Sequence, residues 1–551
     1  MAWMAVGPGE ASGAFNPGKS LIEWVQEDIQ KRIESAGPSP QIHCHGELLC
    51  ESSVLPRFYG QRFFRPAWIS ERGDLPQADL FLQAIHEADR EGLRADDYRY
   101  TKLLNLVGEV RQQKARQIPL SPEKLADLDL LLTDTFLVYA AHLLEGRVNP
   151  ETIQAEWHAR GRKTDLAEIL EKALGSQKIE AALKDLLPSN PGYSRLRRCL
   201  DAYRQTAQRG GWPLVPDGPR IRKGDFSSRI ESLRKRFILA GDLDSAKDLG
   251  GNLFDENLEQ AVRRFQNRHG LEADGVVGAA TLAALNISVE ERIQQIRVNL
   301  ERWRWLPRDL GERYIRVNIA NYGLEVLEKE NSVLMMRAVV GKRYQRTPVF
   351  SALMTYMVFG PYWNVPPHIA KKEILPLVQK DPEYLSKNQM KVFQGWSLER
   401  KEIDPKTVDW AKIVPDHLPY NFRQEPGKGN ALGRIKFMFP NKFHVYLHDT
   451  PARNLFQRTV REFSHGCIRI EKPIELALYL LQGSPEWSEE HLLREIEEST
   501  DRSVRVPNPI PVHVLYWTAW VDADGTVQFR NDIYGRDEPL RKALEQKPPI
   551  L

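Results

Sequence analysis

The sequence has little cysteine, little net charge and no long apolar run, and each shortage excludes a class of protein. Four cysteines in 551 residues, Cys44, Cys50, Cys199 and Cys467, are too few for a disulfide scaffold, although Cys44 and Cys50 could form one bridge. With 77 basic against 74 acidic residues the net charge is +3, so neither nucleic acid nor a polyanionic membrane surface is an expected partner. A transmembrane helix needs about 20 apolar residues. The best run, Leu128 to Leu144, is broken by Asp129, Thr133, Asp134, Thr135 and His142, so no transmembrane segment is expected. The start, Met1 to Gly9, has neither a cationic cluster nor a continuous hydrophobic core, and no secretory signal is read there. His43, Cys44, His45 and Cys50 cluster without the spacing of a strong zinc pattern, so no metal and no cofactor is expected.

What is present is a reactive-looking thiol. Cys467 sits in Ser464-His465-Gly466-Cys467-Ile468-Arg469-Ile470, and the segment Phe443-His444-Val445-Tyr446-Leu447-His448 ends nineteen positions before it. A thiol with a pKa of about 8.5 is mostly unreactive at neutral pH unless a neighbouring base takes its proton. If Phe443 to His448 is a strand, alternation puts Val445 and Leu447 on one face and His444, Tyr446 and His448 on the other. Downstream, Ile468 and Ile470 would anchor in a core while Cys467 and Arg469 face away together. Gly466 permits a tight turn that exposes its own amide and that of Cys467 as a candidate oxyanion hole. His448 is the expected base and Cys467 the nucleophile. His465 ranks second as base, since a ring so near in sequence would struggle to reach the sulfur. Asp449, as a neighbour on a strand, points away, so a backbone carbonyl is expected to orient the imidazole. Taken singly, a cysteine and a histidine would read as a buried thiol and a satisfied strand residue.

The segment resembles the active-site signature of the L,D-transpeptidase catalytic domain, the YkuD-like fold: a His, then Ser/Thr-His-Gly-Cys, a hydrophobic residue, and Asn or Arg. Gly360-Pro361-Tyr362-Trp363-Asn364-Val365-Pro366-Pro367 and Pro426 to Phe437 recur in the family's order. The resemblance implies attack by Cys467 on the L,D amide of a peptidoglycan tetrapeptide stem, release of D-alanine and 3-3 cross-linking to a second stem. It makes Arg469, Tyr446, Ser464, His465, Trp363 and Asn364 candidate substrate contacts. Arg469 stands where many relatives have Asn, which suits a carboxylate. Water as acceptor would give an L,D-carboxypeptidase instead, and a non-catalytic wall-binding scaffold that tethers other cell-wall synthases is a further alternative. The implied place of work is the periplasm or cell envelope.

The rest divides into a multidomain α+β chain. Residues 20–210 read as a helical domain, with faces such as Leu80, Ala84, Ile85 and Ala88, and resemble the scaffold domain ahead of larger L,D-transpeptidases through Tyr59 to Trp68 and Gly146 to Pro150. Gly210 to Pro219 reads as a linker. Residues 220–287 carry Ile230, Leu233 and Phe237 on one helix face and Leu258, Ala261, Val262 and Phe265 on another. They resemble a small three-helix peptidoglycan-binding module, for which stem or glycan would be the partner, although its binding role could be vestigial. Residues 300–540 read as a mainly β catalytic domain interrupted at 370–426 by a charged, helical-looking insert containing Trp396 and Trp410. The insert is read as a lid; a surface excursion without gating is the alternative. An activated Cys467 should be acylated by carbapenem-type β-lactams, whose strained amide imitates the donor. Intact-mass spectrometry of the folded protein at neutral pH should show one adduct, absent in Cys467→Ala, and an unmodified mass would sink the assignment.

Overall fold

A computed structural model describes residues 19–546 apart from 37–41, 45, 46, 52, 154–156, 159–163, 396–400 and 499. The amino-terminal run, His45 and Trp396 discussed above lie outside the described residues. The chain divides into two compact units, one of residues 1–148, 161–189 and 542–551, the other of residues 149–160 and 190–541.

The first unit is helical and is built around Pro122–Glu145. Ser121 caps this helix by accepting from the Lys124 amide, Pro122 needs no amide partner at the first turn, and Gly146 ends it. The polar residues that break its apolar run are buried and hold the surrounding segments. Asp129 accepts from the Tyr59 hydroxyl at 2.6 Å and from the Ala67 and Trp68 amides at 2.9 and 2.8 Å. Asp134 accepts from Arg99 at 2.9 Å and from the Glu51 amide at 2.7 Å. In helix Ala78–His86 the buried set is Ala78, Phe81, Leu82 and Ile85, whereas Leu80 is exposed, so the expected face was counted from the wrong residue. Cys44 and Cys50 are free, and burial pushes the Cys44 thiol up to about 11.

In the second unit, helices Arg229–Leu239, Glu256–Arg268 and Ala279–Leu285 close on a core of Ile230, Leu233, Phe237, Leu258, Val262 and Phe265. The Gly- and Pro-rich segment before them is not a loose linker. Trp212 lies 3.9 Å under the guanidinium of buried Arg236 and donates to the Ile287 carbonyl, and Val215 is buried. Two apolar anchors outweigh the local flexibility that composition suggested.

The remainder of the second unit is built on a β-sheet that closes on itself. Its order runs Ile435–Met438, Leu447–His448, Ile468–Ile470, Asn331–Gly341, Gly323–Glu328, Arg313–Asn318, Arg502–Leu515 and Val349–Phe359, and the last strand pairs back with the first. Closure removes the open edges that would otherwise attract another chain. Ile315, Val317, Leu324, Val326, Ile468, Ile470, Val512 and Val514 are buried within it. The insert has its own core, with Ile369, Ile374, Leu375, Val392, Trp410 and Phe422 packed together. Its four-stranded sheet runs Lys401–Ile403, Met390–Gln394, Tyr420–Gln424 and Trp363–Asn364. Among the described residues no helix is long and apolar enough to cross a membrane.

Removing Asp129 strands the Ala67 and Trp68 amides in the interior, at about 1–3 kcal/mol for each unsatisfied group, offset by loss of a buried charge, while the Tyr59 hydroxyl keeps Thr133 Oγ1 at 2.7 Å. Asp129→Ala should lower stability by about 3 kcal/mol in denaturant titrations, and Leu80→Ala should stay within about 0.5 kcal/mol of the parent. Equal effects would contradict the burial described.

Candidate active site

Cys467 stands on a turn tethered on both sides to one long strand, Asn331–Gly341. Upstream, Glu462 and Ser464 pair in parallel with Val340 and Gly341; downstream, Arg469 and Ile470 pair antiparallel with Val339 and Ala338. Gly466 takes φ +111°, a region that favours glycine. Its carbonyl accepts from the Thr347 hydroxyl at 2.9 Å, and its amide donates to Ser464 Oγ at 3.2 Å. Of the two amides read as an oxyanion hole, that of Gly466 is therefore turned toward Ser464.

The expected strand Phe443 to His448 is only Leu447–His448. His444 adopts φ +55°, and Asn441 holds the turn by accepting from the Phe443 and Val445 amides at 3.0 and 3.2 Å. The left-handed residue breaks the alternation, and Cys467 Sγ lies 3.9 Å from the His444 carbonyl.

Register assembles the remainder. Leu447 pairs with Ile468 and His448 with Arg469 in parallel, and Lys436 pairs with His448 antiparallel. Residues directly opposite across a sheet share a face, so Lys436, His448 and Arg469 form one row. Cys467 and Tyr446, two residues before Arg469 and His448, come next to it. The Tyr446 ring lies edge-on to His448 at 5.7 Å, with Lys436 Nζ 4.0 Å over its face. His448 Nδ1 is 2.6 Å from the Asp449 carbonyl, which makes Nδ1 the donor and leaves the lone pair on Nε2. The Asp449 carboxylate instead accepts from the Arg434 amide at 2.9 Å and meets Arg453 at 3.3 Å. A Cβ at Gly433 would fall 2.5 Å from that carboxylate, which is why glycine stands there.

Burial, reinforced by the Arg469 and Lys436 charges, pushes His448 down to about 3, so its imidazole is neutral near pH 7. Burial also raises the Cys467 thiol, opposed by hydrogen bonds from Tyr446 and by the charges of Lys436 and Arg469. Thiol and imidazole share no hydrogen bond in this structure. Arg469 Nε is buried without a hydrogen-bond partner, and its side chain meets no carboxylate among the described residues. His465 turns to the insert, where Nε2 contacts Glu373 and the ring lies 6.1 Å from His368. Glu373 stands on a π-helical turn, Ala370–Ile374, just before Pro376, whose missing amide interrupts regular pairing. Trp363 packs on the insert's core and Asn364 is exposed on its outer strand, so these two belong to the insert's sheet.

Sequence reasoning assigned no role to Lys436, Thr347 or Glu373. For Lys436 a signal existed, since Ile435 and Phe437 alternate with it as core residues. For the other two none existed, because their partners are distant in sequence.

Three family models match this chain: a scaffold domain over residues 53–200, a peptidoglycan-binding domain over 227–285, and the L,D-transpeptidase catalytic domain, YkuD, over 312–487. A Haemophilus influenzae protein named "Putative L,D-transpeptidase" is 33% identical over 250 residues, covering 45% of this chain and 49% of that protein. N-acetylmuramoyl-L-alanine amidase CwlM of Mycobacterium tuberculosis is 39% identical over 80 residues, covering 13% of this chain and 20% of that protein. The chain thus spans about half the length of the first relative and less of the second. A solved L,D-transpeptidase from Xylanimonas cellulosilytica is 16% identical with a TM-score of 0.17, covering 54% of this chain and 99% of that one. Along this polypeptide, then, a segment similar to a scaffold domain is followed by one similar to a peptidoglycan-binding domain and, at residues 312–487, by one that matches the L,D-transpeptidase catalytic domain, YkuD.

Proposed function

We propose that the chain is a cysteine-dependent L,D-transpeptidase of the cell envelope that forms 3-3 cross-links between peptidoglycan stems. The observation that carries this reading is the row Lys436, His448, Arg469 beside Cys467, with the lone pair left on His448 Nε2 by the Asp449 carbonyl.

In the first step Nε2 takes the Cys467 proton as sulfur attacks the L,D amide carbonyl of a tetrapeptide stem. A neutral thiol beside a neutral imidazole places this transfer in the attack itself rather than in a preformed ion pair. The developing negative charge is met by Lys436, Arg469 and the Cys467 amide, while Gly466 shapes the turn. The carbon–nitrogen bond then breaks, and the departing D-alanine amine carries the proton returned by the imidazolium. The amine of a second stem attacks the thioester, His448 accepts its proton, and the thiol is regenerated. The unpartnered fork of Arg469 suits a carboxylate of the donor stem, and Tyr446 walls the cleft, while buried Ser464 spends its hydroxyl on the Gly466 amide and the Cys467 carbonyl. The insert, in contact through Glu373 and His465, covers the nucleophile turn and limits water as a competing acceptor. Weaker cover would favour the L,D-carboxypeptidase outcome.

Two measurements test this. Purified protein incubated with diaminopimelate-containing disaccharide tetrapeptide should give cross-linked dimer, and Cys467→Ala should reduce product below detection, a loss of at least about 10³-fold. Tripeptide without dimer would move the reading to hydrolysis. In the free protein, Cys467 alkylation by iodoacetamide should keep rising beyond pH ~8.5, because burial raises the thiol. A plateau between pH ~6 and ~7 would reveal a preformed thiolate and overturn the neutral-pair mechanism. For stability, the sign follows from a lowered histidine: the unfolded state binds the proton first, so the stabilisation from His448 is lost as pH falls from about 6.5 towards about 3.

A further inference from the structure

Two large cavities open on the second unit. One, of about 770 Å³, lies beside Asp449, and of its cations Arg434 and Arg453 already face that carboxylate, leaving Lys428. The other, of about 600 Å³, lies between the end of the binding module's middle helix, at His269 to Leu271, and strand Glu462–Ser464, which runs into the nucleophile turn. Arg343, Arg458, Arg461 and Arg530 line it, against the carboxylates of Glu462 and Asp532. Both acids are engaged: Glu462 accepts from the Tyr322 hydroxyl at 2.6 Å, and Asp532 from the Tyr516 hydroxyl at 2.6 Å and from two backbone amides. None of the four arginines forms an ion pair among the described residues.

The arginines fall into two kinds. Arg461 and Arg530 are fixed: Arg461 donates to the carbonyls of Ala338, Arg458 and Tyr322, and Arg530 to Asn321 Oδ1 at 2.7 Å and the Arg268 carbonyl at 3.0 Å. They act as immobile charges in a partly buried wall. Arg343 and Arg458 are exposed, and their guanidinium groups donate no hydrogen bond among the described residues; that of Arg458 lies 5.3 Å over the Phe463 ring, a contact that leaves its N–H edges open, so two forks stand over that wall. Planar forks above fixed positive charge suit oxyanions, and the volume lies within the range of about 300–1,000 Å³ typical of ligand sites. A polymer that meets the module at this helix end would pass the cleft on its way to Cys467.

We propose that this cleft binds an oxyanion-bearing segment of the wall polymer, through the free carboxylates of a stem other than the one at Cys467. The proposal rests on the reading of the chain as a peptidoglycan enzyme. Carboxylate and phosphate share the recognition chemistry, and the experiment separates them.

The test uses fluorescently labelled disaccharide tetrapeptide and the full chain, with and without a carbapenem on Cys467. Binding should survive the capping, weaken as salt rises from ~50 to ~500 mM, and fall about tenfold or more in the Arg343→Ala/Arg458→Ala double variant. The same ligand with amidated carboxylates should bind at least about tenfold more weakly. Binding that is lost on capping, or that is unchanged in the double variant or by amidation, would overturn the proposal. Displacement by inorganic pyrophosphate at lower concentration than by unlabelled tetrapeptide would assign the cleft to phosphate and reject the carboxylate. Adduct and product formation by the same preparation reports separately on the transpeptidase reading. If no adduct forms, that reading fails while the arginine and amidation arms still decide the cleft.

Discussion

His448 stays neutral because it is buried between two cations. Lys436 and Arg469 flank it on adjacent strands, and adding a third positive charge between them would cost more than the Asp449 carbonyl returns. Neutrality decides the hydrogen-bond pattern: one ring nitrogen donates to a carbonyl, and the other can only accept. It bears on the sulfur as well, since no imidazolium stands beside Cys467 to favour a thiolate. The same two cations that suppress charge on the ring favour it on the sulfur, where burial opposes them.

That arrangement depends on strand register. A one-residue slip between Leu447–His448 and Ile468–Ile470 would send His448 and Arg469 to opposite faces. Closure of the sheet and the tethering of both flanks of the turn to Asn331–Gly341 prevent such a slip. Thr347 adds a polar brace: its hydroxyl accepts from the Gly341 amide at 2.9 Å while donating to the Gly466 carbonyl, and the Tyr534 hydroxyl donates to the Gly341 carbonyl at 2.6 Å. The turn that carries Cys467 is therefore held by hydrogen bonds from behind, with Ser464 bonded into it, and His465 reaches from it to Glu373 of the insert.

Much of this was legible in the sequence where the signal was local. The spacing of His448, Gly466 and Cys467, the alternation of Ile468 and Ile470 with Arg469, and the helical periods of the binding module all concern neighbours along the chain. The parts that were not legible depend on pairings across long separations. Lys436 joins the row only through antiparallel pairing with His448, and Thr347 reaches Gly466 across 119 positions. Leu80 misled because apolar character alone does not say which side of an amphipathic helix is counted. The run around Trp212 misled in the opposite sense, since its Gly and Pro suggested freedom that half-buried Trp212 under Arg236 and buried Val215 remove. His444 broke a predicted strand because Asn441 offers its side chain to the backbone, an alternative that alternation of apolar residues does not register.

The packing between the binding module and the catalytic sheet has a consequence for reach. His269 stacks 3.8 Å from Phe265 and 5.6 Å from Phe529, Arg292 lies 4.4 Å over Phe529, and Arg530 donates to the Arg268 carbonyl. A module on a flexible tether would let the thiol sample a volume set by linker length, with local concentration falling as the linker grows. Here aromatic and guanidinium layers take the place of a tether, so the distance from the module to Cys467 is set by packing, as in a caliper with its jaws locked, and not by the length of a linker.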